Sequence, residues 1–329
     1  STLHNTLFPY TTLFRSMARL LRFDAAVRAH SGDLDGAMED YLAILELSET
    51  LAEEPMSMSL LVRELLTRIA FEGMGAALPA GSLNLEQARS FVRKTEDMYH
   101  REGLEHALAY EAPLWLHFVT RNPAALLARE GSMPVLPATN AVTLLVLYPS
   151  PLGDNIVNAD RETCARFMER IILAAQEPYY EAQSELGSIE AELAGLSSLK
   201  GYTKALVPEL MKGQRRVQAR NEALLDLMRL GLLLEAHHAD TGSYPANLTK
   251  LADEFGDDLP VDPFTGESYV YVPKDDTFLL YSVGMNQVDD GGKHAYVEGD
   301  IVWRGVEEPE TPPQRRHERR RRQRPARIR

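Results

Sequence analysis

The chain has 329 residues, 44% hydrophobic and 25% charged, which is ordinary for a globular protein and long enough for two domains with real cores. The formal charge of -13 is uneven: nine Arg against one Glu give Arg315–Arg329 +8 and leave -21 for the rest, which argues against nucleic acid as a main partner. The one cysteine, Cys164, excludes an intramolecular disulfide framework, and no apolar run reaches the ~18 residues of a membrane span.

In chain order, TLFPYTTLFRS (6–16) comes first, and Met17 follows it at once. These eleven residues resemble the in-frame translation of a short-read sequencing adapter. The resemblance implies that residues 1–16 fall outside the native fold, carry no hydrophobic face to bury, and displace whatever signal or anchor preceded Met17. From Met17, Leu20, Leu21, Phe23 and Val27 recur at helical spacing, and Ser31-Gly32-Asp33 breaks the pattern. A second helix begins at Asp35, with Met38, Tyr41, Leu42 and Leu45 on one face. Around this turn, Ala25, Ala37 and Tyr41 resemble one tetratricopeptide unit, with no clean repeat after it.

A helix is expected over 56–78, closed off from the previous one by Pro55. Asn84 caps the next with Gln87 as capping-box partner, and that helix is expected to run to about Arg101, where Gly103 separates it from another ending near Phe118. The prolines at 134, 137, 149 and 151 mark 131–155 as an irregular connection. Asp160 is expected to cap the next helix, with Phe167, Met168 and Ile171 on its core face and Cys164 as a small core residue. Residues 17–212 thus read as a helical body.

That body carries no His-Glu-x-x-His, no Gly-x-Ser-x-Gly and no phosphate-cradling glycine loop. His100 and His106 are six apart and do not share a helix face. Farther along, Glu235, His237, His238 and Asp240 are types that zinc uses, but they stand where a helix ends and His is favourable against the helix dipole. The expectation is a protein without catalytic activity.

Residues 213–305 read differently. A long helix over 214–239 is apolar on most sides, with Leu224, Leu227, Met228, Leu232 and Leu234, so it is expected to pack both on the helical body and on the segments C-terminal to it. TGSYP (241–245) ends it, NLTKLADEF (247–255) is a short helix, and LPVDPFTGE (259–267) is a tight polar path. SYVYVP (268–273), TFLLYS (277–282) and DIVWR (300–304) have strand character. The fold class expected is α+β: a mostly helical body, then a long helix on a small antiparallel sheet.

The order of long helix, TGSYPANLTKL, LPVDPFTGESYVY, FLLYSVG, an Asp-Gly-Gly loop and GDIVW resembles the C-terminal domain of the major pseudopilin of type II secretion, over about ninety residues. The resemblance implies a spine helix on an antiparallel sheet and a last loop that holds calcium through acidic side chains and backbone carbonyls. Asn286 stands at the family's first loop acid, Asp300 at the Asp before the last strand, and Asp289 and Asp290 between them. Two features depart from the pattern: the first ligand is a neutral Asn, and the loop is longer by one residue before Gly291-Gly292. Two hundred residues of helical body also precede the spine helix without a prepilin cleavage site, so a filament subunit is not expected. Residues 306–329 are basic and too polar to fold, suited to phosphate or anionic lipid unless they are an arbitrary extension. The resemblance implies a non-enzymatic protein of the bacterial cell envelope acting in interaction or scaffolding, with protein partners. The alternative is a tetratricopeptide-like peptide-binding adaptor in the cytoplasm.

Overall fold

The computed structural model describes residues 9–79, 82–98, 102–121, 153–211, 213–255, 259–294 and 299–305. Of the expected connection over 131–155, residues 153–155 are not irregular but open a helix, whereas 131–152, like the basic tail 306–329, lie outside the described residues. Within them, the helices in chain order are α1 (Pro9–Ser31), α2 (Leu34–Glu49), α3 (Ser57–Ala77), α4 (Leu85–Thr95), α5 (Glu102–Arg121), α6 (Gly153–Gln176), α7 (Tyr179–Gly195), α8 (Gly201–Met211) and α9 (Gln214–Thr241). A 3-10 helix (Leu248–Glu254) and strands β1 (Val270–Pro273), β2 (Phe278–Ser282) and β3 (Ile301–Val302) come after them. The sheet is antiparallel in the order β1-β2-β3, with Tyr271 opposite Leu280 and Tyr281 opposite Val302. The fold is α+β, mostly helical.

Helix boundaries obey local chemistry where local chemistry decides them. Asp33 accepts the Gly36 amide at 3.1 Å and starts α2. Asn84 and Gln87 form the reciprocal capping box at 2.9 Å each way. Gly242, left-handed at φ 76°, ends α9. Three expectations are corrected. Helix α4 stops at Thr95, short of Arg101, and Gly103 does not separate helices: it lies in the first turn of α5, where a Cβ would come within 3.2 Å of the Ala52 carbonyl. Helix α1 begins at Pro9, inside the adapter-like segment, and Phe14 packs against the core, so that segment has an apolar side chain to bury after all. Asp160 does not cap its own helix; it lies well inside α6.

The buried apolar side chains form two clusters. One joins α1–α4 to α9, the 3-10 helix and the sheet. At its centre Leu224, Leu227, Met228, Leu230, Leu232, Leu233 and Leu234 are all fully buried, as an all-round apolar helix requires. The other cluster is built from α5–α8, with Leu60 of α3.

Helix ends between these elements are satisfied from far away. The first amides of a helix and its last carbonyls have no intrahelical partner and must find one. Glu111 of α5 accepts the Ser57 amide and hydroxyl at 2.8 Å each at the start of α3. Arg304 donates to Gly75 O at 2.7 Å and Leu78 O at 2.8 Å at its end. Arg229 of α9 donates to the carbonyl and hydroxyl of Thr95, which ends α4. Arg215 donates to Ala175 O at 2.7 Å and to Glu177 O at the end of α6. Asp160 caps α8: it accepts the Tyr202 amide at 2.7 Å and the Thr203 amide and hydroxyl at 3.3 and 2.6 Å.

Candidate functional site

The residues singled out in the sequence, Asn286, Asp289, Asp290 and Asp300, stand in the loop between β2 and β3. The loop leaves β2 through a turn at 284–287 in which Gly284 has φ 71° and Gln287 φ 56°. A Cβ on Gly284 would sit 2.5 Å from Gly299 O, so the two limbs of the loop close only on a glycine.

Two of the four side chains are bonded to each other, and a third, Asp300, reaches the loop backbone at Asp290 and Gly292. The Asn286 amide donates to Asp290 Oδ2 at 2.8 Å, and Asn286 Oδ1 accepts the Val288 amide at 3.2 Å. Buried Asp300 accepts the Asp290 amide on Oδ1 at 3.3 Å and the Gly292 amide on Oδ2 at 2.6 Å. Burial raises the Asp300 carboxyl above its usual range, and these two amides oppose the shift. Asp289 turns instead to the Gly291 amide at 2.9 Å and the Tyr281 hydroxyl at 2.8 Å, and those bonds hold its carboxyl below the usual range. The loop is therefore a set of Asx turns tied to the base of β3 by Asp300.

All four side chains offer hard oxygen donors, the type calcium takes. The carboxylates are engaged by the loop's own amides, and among the described residues no three His, Cys, Asp or Glu side chains converge on a shared point. The chemistry of the donors fits calcium, and the loop is held together by amide donors.

A second carboxylate supports this loop from below and was not singled out in the sequence. Asp262, in the Asp-Pro-Phe-Thr-Gly run, is buried and accepts from Phe264 N, Ser282 Oγ and Val283 N at 3.0 Å each. It fastens the 259–267 path to the end of β2. An Asp two residues before a turn amide is the sequence signal that could have found it. Burial raises its carboxyl, and the nearby Asp300 charge adds to that.

Two further networks tie this region to the helices. Asp226 and Arg229, which interrupt the apolar run of α9, pair at 3.3 Å, and Asp226 accepts the Tyr269 hydroxyl at 2.9 Å. Burial pushes Asp226 up to about 6 despite Arg229. Glu222, one turn back, is displaced well upward by burial and by the Asp226 charge. Glu235 turns inward to accept Trp303 Nε1 at 2.9 Å and Arg304 at 2.5 and 2.7 Å. The Trp303 indole lies against Gly231, where a Cβ would meet the ring at 2.5 Å, and meets Phe71 edge-on at a centroid distance of 5.6 Å. The Glu-x-His-His-x-Asp run is thus divided, with Glu235 in the core and His238 stacked on Tyr244 at 4.2 Å. His106 is exposed on α5, and His100 lies outside the described residues. Cys164 is buried, its thiol pushed up to about 12 by desolvation.

No helix among the described residues is long and apolar enough to cross a membrane. Comparison with protein-family models, with curated proteins and with solved structures found no match to this chain.

Proposed function

We propose that this chain is a non-enzymatic interaction protein of the bacterial cell envelope, in which a pseudopilin-like C-terminal part is built rigidly into a helical body. The observation that carries the reading is the joint at the last strand. Trp303 and Arg304 place one aromatic ring and one guanidinium against Glu235 of α9 and the end of α3 at once. Asp226, Glu235, Asp262 and Asp300 all direct their oxygens to groups that hold elements together, which is how a scaffold uses buried charge. The test is to fuse the gene, with its native upstream sequence, to alkaline phosphatase, which is active only outside the cytoplasm. An active fusion supports the envelope; an inactive one with full expression moves the protein to the cytoplasm. The cytoplasmic adaptor is the second reading, favoured by the α1–α2 hairpin and the groove beside it.

Calcium belongs to the same proposal. Asn286, Asp289, Asp290 and Asp300 would hold it, and it would supply positive charge to a loop whose carboxylates otherwise repel one another. A ligand that binds only the folded state stabilises it by about 2.7 kcal/mol at a hundred times its dissociation constant. Thermal unfolding of the full chain with calcium, with magnesium and with chelator reads this directly, magnesium being a poor substitute in a flexible loop. Identical curves in all three remove the ion and leave the loop to its amides.

A further inference from the structure

Between α1 and α3 runs a groove of about 720 Å³. Its α1 side carries Arg19, Arg22, Phe23 and His30, and its α3 side offers only Gly73, Ala76 and Ala77. A second hollow of about 320 Å³ shares Arg22 and Ala76 with it and ends against His294 and Arg304, so the two form one trough. From Arg19 to His30 the wall is about 16 Å of helix, the length of about five extended residues.

The trough is basic on an acidic protein. Glu72 is the one carboxylate lining either hollow among the described residues, and it is engaged by Arg22 at 3.3 Å and Arg68 at 3.1 Å. Arg19 and His30 are exposed and enter no ion pair among the described residues. Phe23 is 70% exposed at the rim, with the alanines of both helices beside it. A strip of positive charge with an apolar floor is complementary to a chain that alternates acids with apolar side chains.

Beneath the strip lies a polar group without a use in the fold. Tyr41 is fully buried, lines the groove, and its hydroxyl has no hydrogen-bond partner. Burial pushes that hydroxyl up to about 12, so it remains a donor at neutral pH. Gly73 lets the ring lie against α3, since a Cβ there would meet Tyr41 Cε1 at 2.7 Å and the stem of Arg22 at 3.1 Å. Arg22 therefore lies across the place where Tyr41 would be reached. Its bond to Glu72 is long and half exposed, the weak kind of ion pair. A carboxylate from a ligand can compete with Glu72, draw Arg22 aside and give the Tyr41 hydroxyl its acceptor.

We propose that this trough binds an extended acidic peptide of another protein, its carboxylates on Arg19 and Arg22 and its apolar side chains on Phe23 and the alanine floor. The inference rests on the interaction-protein reading and names its partner class.

The experiment is fluorescence anisotropy on the full chain, with labelled octapeptides in which Glu alternates with Leu or Phe and a second set in which Lys replaces every Glu. Saturable binding of the acidic set, at least tenfold tighter than the basic set and weakened by salt, is expected. Arg19→Glu, at an exposed position, should weaken it at least tenfold, and Ala76→Trp, also exposed, should fill the floor and abolish it. Tyr41→Phe separates binding from folding: it removes an unpartnered hydroxyl, so the melting temperature should not fall, while peptide affinity drops severalfold. Equal binding of both sets, or indifference to Arg19→Glu and Ala76→Trp, overturns the proposal. So does binding that appears only when the chain is cut after Gly305, which gives the trough to the chain's own Glu307, Glu308 and Glu310. So does self-association lost in Ala76→Trp without peptide binding, which gives it to a second copy. None of these results touches the alkaline phosphatase test, so failure of the peptide and failure of the envelope reading are told apart.

Discussion

Residues 9–98 and 213–305 share one core although all of 102–211 intervenes, whereas 102–211 close a second core almost entirely among themselves. The difference shows in what each core buries. The first holds Asp226, Arg229, Glu235, Asp262 and the pair Glu64–Arg220 at 3.1 Å, all nearly inaccessible. The second turns on Asp160 and the threonines beside it. Elements brought together from the two ends of a chain must first close a long loop, which costs entropy before any contact is made. Directional, satisfied polar contacts such as Arg304 on Gly75 and Leu78 fix which surfaces meet once the loop is closed. A local cluster has fewer wrong ways to close and can rely on apolar packing. The lesson is that the sheet completes the first helical core and does not hang from it.

The hardest test of that comparison is Trp303→Ala. The side chain is 5% exposed, packs on Phe71 and Gly231, and donates to Glu235. Its loss should cost about 3–5 kcal/mol, the usual range for a buried aromatic cut to Ala. If the cores are separate, denaturant unfolding monitored by hydrogen exchange should show amides of α3 and α9 released early while those of α6–α8 keep their protection. Equal loss in both would mean that the two clusters unfold as one unit, and the comparison would fail.

Asp226→Asn sharpens the same comparison through pH. In the folded protein Asp226 keeps its proton up to about 6, where an unfolded chain releases it near 3.8. Between those values the folded state binds the extra proton, so stability from this group is full below about 4 and falls as pH rises toward 6. The gap corresponds to about 3 kcal/mol as an upper figure. Arg229 and the Tyr269 hydroxyl face the carboxyl, with Asp262 and Glu222 as the neighbouring acids. Asn keeps the shape and has no proton to lose, so urea unfolding from pH 4 to 6 should give a flatter dependence than the parent. Glu222, displaced in the same direction, should keep some slope in the variant. An unchanged slope would show that Asp226 does not carry the dependence.

Much of this architecture is legible where the deciding chemistry is local. The Asn84–Gln87 box, the Gly242 terminus, the all-round apolar helix α9 and the β1–β2 hairpin each arise from residues a few positions apart. The features that escape a sequence reading are decided at a distance. Cap signals are local and assign Asp160 to the nearest helix, yet it caps α8 from about forty residues away. Gly103 has the look of a break, but its small size serves an approach to Ala52 O that no neighbour in sequence announces. Asp226 and Arg229 interrupt an apolar run; a charged pair three apart inside such a run is itself a sign of a buried network. Of the candidate loop, the Asx-rich composition and the glycines are plain in the sequence. That amides take the carboxylate oxygens is not, because it depends on how Asp300 meets residues 290 and 292 across the loop.

Asp160→Ala is the smallest of the expected effects and the one that isolates the second core. The side chain is fully buried on α6, and its two oxygens take the Tyr202 amide, the Thr203 amide and the Thr203 hydroxyl at the start of α8. Those amides belong to the first turn of a helix and have no intrahelical partner, so removing the carboxylate leaves donors without acceptors in a dry place. Loss of an N-cap costs about 0.5–2 kcal/mol, and burial puts this one at the upper end. Lys200 donates to Ala159 O at 2.6 Å and Thr163 Oγ1 at 2.7 Å, so its bonds to α6 do not use the carboxylate and survive the substitution. Asp160→Asn should recover about half of the loss, because its one carbonyl oxygen can still accept from an amide. The readout is hydrogen exchange across 201–211, which should accelerate in the Ala variant, against 224–234, which should not. Acceleration in both segments would show that the cap of α8 supports the long helix as well, and the boundary between the two cores would have to be drawn elsewhere.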